Sequence, residues 1–339
     1  MRILIRPRLP VFALLLLAPS IPELLTGSTP ITHVVTDPIG FFVVGFPLDI
    51  LLYGLGALLI REFAVAFQKG WASILLLGAA YGIAEEGFEV HTFFGPPSYT
   101  VGALGVYGHL YGVNWLWALA LTVFHATYSI ALPILLTNLW FPEVKDRRWL
   151  DRGTIQVLAL VFVIEVVGFD FVAKYGPSLA AALFFAGVVA LLIALALKAP
   201  RDLLAVSPGP RKVGRNALIL LGAVEFAAYT CVLVFSGTRA IPAAGAAAFL
   251  VAANAGVLVL ILRWVGTEDL ERSEFFFACG MMYALFAWDV LIEFVSVPGI
   301  LAVSAFFGYL LYRLGRTLNA RAAGRTVPLG ALGPPPTLS

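Results

Sequence analysis

Charge is what this chain has least of. Lys and Arg number 22 and Asp and Glu 20 in 339 residues, 12% together, where a soluble domain carries about 25%. So few charges cannot cover a surface that faces water. The net charge is only +2, and no basic run alternates with aromatics, which excludes a nucleic-acid partner. Cysteine is nearly absent. Cys231 and Cys279 both lie in apolar segments with no C-x-x-C pair, which excludes a disulfide framework or a zinc knuckle and leaves them as packing residues. No long polar stretch separates the apolar runs, so there is no room for a second, soluble domain.

Apolar runs fill the space left by charge. The chain is 60% hydrophobic, with a mean hydropathy of +0.94. A helix of about 20 apolar residues spans a bilayer because it satisfies its own backbone where no water is available. Ten such runs are expected, at 9–26, 39–60, 71–94, 113–139, 154–173, 178–198, 216–237, 241–263, 274–296 and 298–313. If they alternate, 20 of the 22 Lys and Arg fall on one side and only Lys174 and Arg239 on the other. Basic residues accumulate in cytoplasmic loops. The expected fold is therefore all-α: a polytopic transmembrane helix bundle of about ten helices in the cell membrane, N-in and C-in, with the lipid bilayer as its partner. Residues 1–316 form one domain and 317–339 a disordered cytoplasmic tail. Arg2, Arg6 and Arg8 before the first run also fit a signal peptide, but no A-x-A site follows, so a retained, kinked helix is expected. Trp71, Trp115, Trp117, Trp140, Trp149 and Trp264 sit near run ends, as an interfacial belt requires.

Against this background the acids stand out. Glu23, Asp49, Glu85, Glu86, Glu89, Glu165, Asp170, Glu225, Asp289 and Glu293 lie inside or at the edge of the runs, with almost no cation beside them. A carboxylate at the bilayer midplane costs at least about 2.5 kcal/mol. Such a set implies shared protons, water or a bound cation. The third run concentrates them in Tyr81-Gly-Ile-Ala-Glu85-Glu86-Gly-Phe-Glu89. Helical spacing places Gly78, Gly82, Glu85 and Glu89 on one face, and the glycines let a neighbouring helix approach. On the fourth run Asn114, Ala118, Thr122, His125 and Ser129 repeat that spacing. Glu85 and Glu86 lie about 9 residues from the outer end and His125 about 12, the same depth to within a turn.

Two carboxylates and one imidazole suit two chemistries. Glu86 and His125 can ligate a divalent metal such as zinc, whose bound water becomes a nucleophile. Alternatively, a glutamate acts as base towards a water that histidine orients. Glu89, Asn114 and Tyr81 are supporting candidates, and Glu23 an outer candidate. The structural alternative is a hydrogen-bonded packing cluster. Arg61 and Glu62 read as boundary markers at the end of the second run, and His33, His91 and His109 as loop residues.

The doublet Glu85-Glu86 followed by His125 on the next helix resembles the CPBP family of intramembrane proteases, which contains the CAAX prenyl endopeptidases. The family's E-E-x-x-x-R motif reads here Glu85-Glu86-Gly87-Phe88-Glu89-Val90, with Val90 in place of arginine. Its F-x-x-x-H motif reads Leu121-Thr122-Val123-Phe124-His125, with Leu121 in place of phenylalanine, and no histidine follows to supply its third motif. The resemblance implies hydrolysis of a membrane-embedded substrate by Glu85, Glu86 and His125. The stretch from Leu16 through Pro22-Glu23-Leu24-Leu25-Thr26-Gly27-Ser28-Thr29-Pro30 looks like a group of uncharacterised bacterial membrane proteins. A cation- or proton-coupled transporter, loading its ion on the acids of both halves, is the alternative function. A non-catalytic membrane scaffold is the third.

Overall fold

The computed structural model describes residues 8–95, 103–170 and 175–324, without the side chains of Phe169 and Asp170. Lys174 and the tail from 325 lie outside the described residues. Within them the chain forms ten long helical segments and one short β-hairpin. α1 runs Arg8–Pro19 and continues through a π-helical turn, Ser20–Leu24. α2 is Gly40–Ala66. α3 is Trp71–Ala84, continued by a π-helical turn at Glu85–Glu89. The hairpin strands β1, His109–Leu110, and β2, Val113–Asn114, pair antiparallel and lead into α4, Trp115–Trp140. Then follow α5 (Arg152–Asp170), α6 (Leu179–Lys198), α7 (Arg215–Thr238), α8 (Ala243–Trp264), α9 (Leu270–Glu293) and α10 (Ile300–Ala322). Six of these, α2, α4, α6, α7, α8 and α9, are long and apolar enough to cross a membrane. The protein is thus an all-α helical membrane protein. α3 is less apolar because three glutamates occupy its last turns.

The bundle is organised around α4. Two-thirds of its most apolar window is buried, 67%, against 11% for α6 and 17% for α8. α4 touches α1, α2, α3, α8 and α9. α6 and α8 instead turn leucines, valines and phenylalanines outward, the solution that lipid permits and water does not. α1 is inside the bundle, with Leu14 and Ala18 fully buried, as is Ile21 of the turn that continues it.

Two features depart from the sequence reading. Arg61 and Glu62 do not mark a boundary in solvent; both are buried, at 2% and 1% exposure. Arg61 forms an ion pair with Glu62, donates to the carbonyls of Val144 at 3.0 Å and Lys145 at 2.7 Å, and lies 3.5 Å from the ring centroid of Trp149. Glu62 accepts from the Trp149 and Leu150 amides at 3.1–3.3 Å. A buried charge needs partners of this kind, and here they tie the loop between α4 and α5 to α2. Trp149 is therefore part of a clamp and not an interfacial anchor.

The second departure is at the end of the chain. α10 continues to Ala322, past the boundary at 316 where a disordered tail was expected. Arg321 explains the extension by donating to the carbonyls of Leu139 and Trp140, at 2.9 and 3.1 Å. These are free C-terminal carbonyls of α4, which a basic side chain caps well. Just outside the span, Asp151 opens α5. The amide and hydroxyl of Thr154 donate to it at 2.9 and 2.8 Å, which holds its carboxyl below the ordinary range.

Candidate functional site

Glu85, Glu86 and His125 converge, as their shared depth implies. Helices α3 and α4 meet at Gly78 and Gly82, where an added Cβ would lie 2.9 Å from the Ala126 Cα and 2.7 Å from the His125 Cβ. Only glycine allows this approach. It brings His125 Nδ1 to 3.2 Å from Glu85 Oε2 and His125 Nε2 to 3.1 Å from Glu86 Oε1. All three residues are buried. Nδ1 also lies 2.9 Å from Ser129 Oγ, one turn further along α4. The imidazole is held between two carboxylates.

Each site residue lies in a π-helical turn. Glu85 and Glu86 open the turn Glu85–Glu89, and His125 opens His125–Ala131. Two further turns of the same kind contribute residues that spacing alone had not assigned to the site. Glu23 belongs to Ser20–Leu24 and Tyr53 to Ile50–Gly54. The Tyr53 hydroxyl donates to Glu23 at 2.7 Å, Thr29 donates to the other oxygen at 2.9 Å, and the Tyr53 ring stacks 6.0 Å from His125. π-Turns are concentrated at functional sites because the extra residue re-aims the side chains around it.

The supporting candidates divide. Tyr81 packs edge-on against His125, centroids 6.0 Å apart, with its hydroxyl near Glu85 but in no closed hydrogen bond. Asn114 stays outside the cluster and braces it, donating to the Thr92 carbonyl at 3.1 Å. Thr92 in turn hydrogen-bonds Glu86 and accepts from Trp117 Nε1 at 3.0 Å. Trp117 thus joins the lining of the candidate site. Glu89, buried in the same turn as Glu85, also has Glu165 of α5 as a neighbour. His91 and His109 reach backbone carbonyls, of Tyr175 at 2.8 Å and Gly95 at 2.7 Å, and neither joins the cluster.

The acids of the second half are engaged separately. Glu225 hydrogen-bonds Thr127, Asp289 hydrogen-bonds Ser304, and Glu293 accepts from the amides of Gly299 and Leu301 at 2.9 and 3.0 Å, at the start of α10.

The cluster opens onto a cavity of about 220 Å³ between α1, α2, α3, α4, α7 and α9. Glu23, Thr26, Ser28, Tyr53, Glu86 and His125 give it polar lining, and Trp117, Phe124, Phe226, Tyr229 and Trp288 supply rings. The stretch from Pro22 to Pro30 therefore forms part of the cavity.

The donor types suit a divalent ion. Glu85, Glu86 and His125 each offer a ligand atom, all within 4.8 Å of one another. The ring orientation limits the fit, because the two glutamates face opposite nitrogens. An ion on Nε2 would take Glu86 with it and leave Glu85 behind Nδ1, which gives two protein ligands where catalytic zinc has three. Ser129, hydrogen-bonded to Nδ1, would then orient the ring from behind.

Comparison with known sequences matches residues 12–321 to the model of an uncharacterized membrane protein family. That is not the intramembrane protease family whose motifs the glutamate doublet resembles. No curated protein and no solved structure matches the chain.

Proposed function

Because the chain belongs to this uncharacterized membrane protein family, which brings no activity with it, we propose a function from the site alone: acid–base hydrolysis of a membrane-embedded, amphipathic substrate. The observation that carries the reading is that His125 has a carboxyl group near each ring nitrogen, at 3.2 and 3.1 Å, and lines a cavity with polar and aromatic residues. Ser129, 2.9 Å from Nδ1, fixes the ring from behind, with Glu85 beside it. Glu86 and His125 Nε2, on the cavity side, take the proton from a water that attacks the substrate and return it to the leaving group. Thr92 and Trp117 hold Glu86 in place for that exchange. A divalent ion on Nε2 and Glu86 would supply Lewis acidity to the same water.

The setting is a multi-pass protein of the cell membrane with all ten helices spanning, N-in and C-in, as the basic residues are distributed. α1 and α3 then end, and α4 begins, on the outer side, which places the cavity in the outer half of the bilayer.

Purified protein in lipid nanodiscs, incubated with amphipathic esters and peptides, tests the reading by mass spectrometry of the products. Turnover that falls at least about 100-fold in both Glu86→Gln and His125→Ala is expected from loss of a general base. Turnover that survives both substitutions overturns it. Metal analysis of the same samples separates the two sources of the nucleophile: a stoichiometric divalent ion that disappears in His125→Ala replaces the glutamate base with metal-bound water.

A further inference from the structure

The cavity carries charge of one sign only. Glu23 and Glu86 line it, Glu85 lies immediately behind, and among the described residues no Lys or Arg reaches its wall. Glu23 receives hydrogen bonds on both oxygens, from Tyr53 and Thr29, and Glu86 receives one from Thr92. Both acids thus present hydrogen-bonded acceptor oxygens at the cavity. A lining with carboxyl groups and no Lys or Arg favours an occupant that brings a positive charge, since a buried carboxylate is stabilised when it is paired.

The aromatic lining says which kind. Trp117, Phe124, Phe226, Tyr229, Trp288 and Tyr53 line the same space as the two acids. A small hydrated metal ion would leave these rings unused, and an anion would meet two carboxyl groups. An alkylammonium group uses both kinds of lining, because aromatic faces attract an organic cation that has shed its water and carboxylates neutralise it. The volume, about 220 Å³, is below the roughly 300 Å³ at which drug-sized pockets begin. It suits a headgroup and not a whole lipid. The cavity also sits at one end of the bundle, beneath Thr26 and Ser28 of the segment that follows α1, where a headgroup would enter.

We propose that the cavity lined by Glu23, Glu86 and the aromatic rings binds an alkylammonium group, borne by a lipid headgroup or by a free quaternary amine. The inference rests on reading this cavity as the substrate site, and not on the hydrolysis. It assigns Glu23 to substrate binding.

The test is a binding measurement on the full chain in choline-free maltoside detergent, using fluorescence of Trp117 and Trp288 and calorimetry. The probes are choline, tetramethylammonium, and 3,3-dimethylbutan-1-ol, the neutral carbon isostere of choline. Saturable choline binding at least tenfold tighter than the neutral isostere is expected. Glu23→Gln should weaken choline at least tenfold and leave the isostere unchanged; Trp288→Leu should weaken choline while the protein keeps its helical circular dichroism. Equal affinity for choline and the isostere, or no binding of either ammonium probe to folded protein, overturns the proposal. Nanodiscs of phosphatidylcholine and of phosphatidylglycerol then separate the sources. Protection from free choline only in phosphatidylcholine identifies a lipid headgroup, and equal choline binding in both identifies a free amine. Ammonium binding with no hydrolysis removes the enzymatic reading and keeps this one. Hydrolysis indifferent to headgroup charge, without ammonium binding, does the reverse.

Discussion

Helices α1 to α4 break their α-geometry at Ser20–Leu24, Gly40–Gly45, Ile50–Gly54, Glu85–Glu89 and His125–Ala131, all but the second carrying residues of the candidate site, whereas α5 to α10 run without such a break among the described residues. Acids occur in both regions, but they behave differently. In the first, Glu23, Glu85 and Glu86 are turned towards one imidazole and one cavity. In the second, Asp289 and Glu293 each serve a local partner on the neighbouring α10, and Glu225 reaches back to Thr127 of α4. An acid at membrane depth is therefore not evidence of a site by itself. What separates the two regions is whether the backbone has been bent to make several acids meet.

The comparison breaks most readily at the imidazole. His125→Ala and Glu86→Gln should each lower turnover by about 10²–10⁴-fold, read as product per unit time from purified protein. The clamp of Arg61 and Glu62 comes next. Arg61→Ala leaves Glu62 buried without its cation and should cost about 3–5 kcal/mol of stability, measured by denaturant unfolding in detergent, with turnover per folded molecule intact. Gly82→Ala sets the site's geometry against its packing. The new methyl would crowd His125, and overpacking of this kind costs about 1–3 kcal/mol; turnover should fall with it, because the imidazole itself is displaced. The smallest effects should come from the second region. Glu225→Gln and Asp289→Asn each remove one hydrogen bond worth about 1 kcal/mol and should leave turnover within about twofold of the parent. A collapse of function in either would erase the distinction and put ion-coupled transport in place of hydrolysis.

The helices were legible in the sequence because apolar length is written directly into composition. Each expected run has a counterpart, and the start of α6 at Leu179 and the end of α9 at Glu293 fall within a few residues of the expected limits. The meeting of Glu85, Glu86 and His125 was legible as well, through equal depth and through Gly78 and Gly82. The π-turns were not. One extra residue in a turn leaves no mark on hydropathy, yet such turns carry Glu23, Tyr53, Glu85, Glu86 and His125 alike. Long-range pairings were equally hidden. Nothing local to Arg61 announces Trp149, and nothing local to Arg321 announces the end of α4. For Glu23 a signal did exist: the stretch Pro22 to Pro30, rich in threonine, serine and proline, is unlike an ordinary loop and folds into the cavity wall.

Each π-turn spends one residue that an α-helix would not need, and taking it out would spin everything beyond it by about 100°. Anyone rebuilding this bundle from ideal rods would recover its silhouette and its tolerance of oil while scattering Glu23, Tyr53, Glu86 and His125 to unrelated compass points. These four side chains all sit where its rods are imperfect.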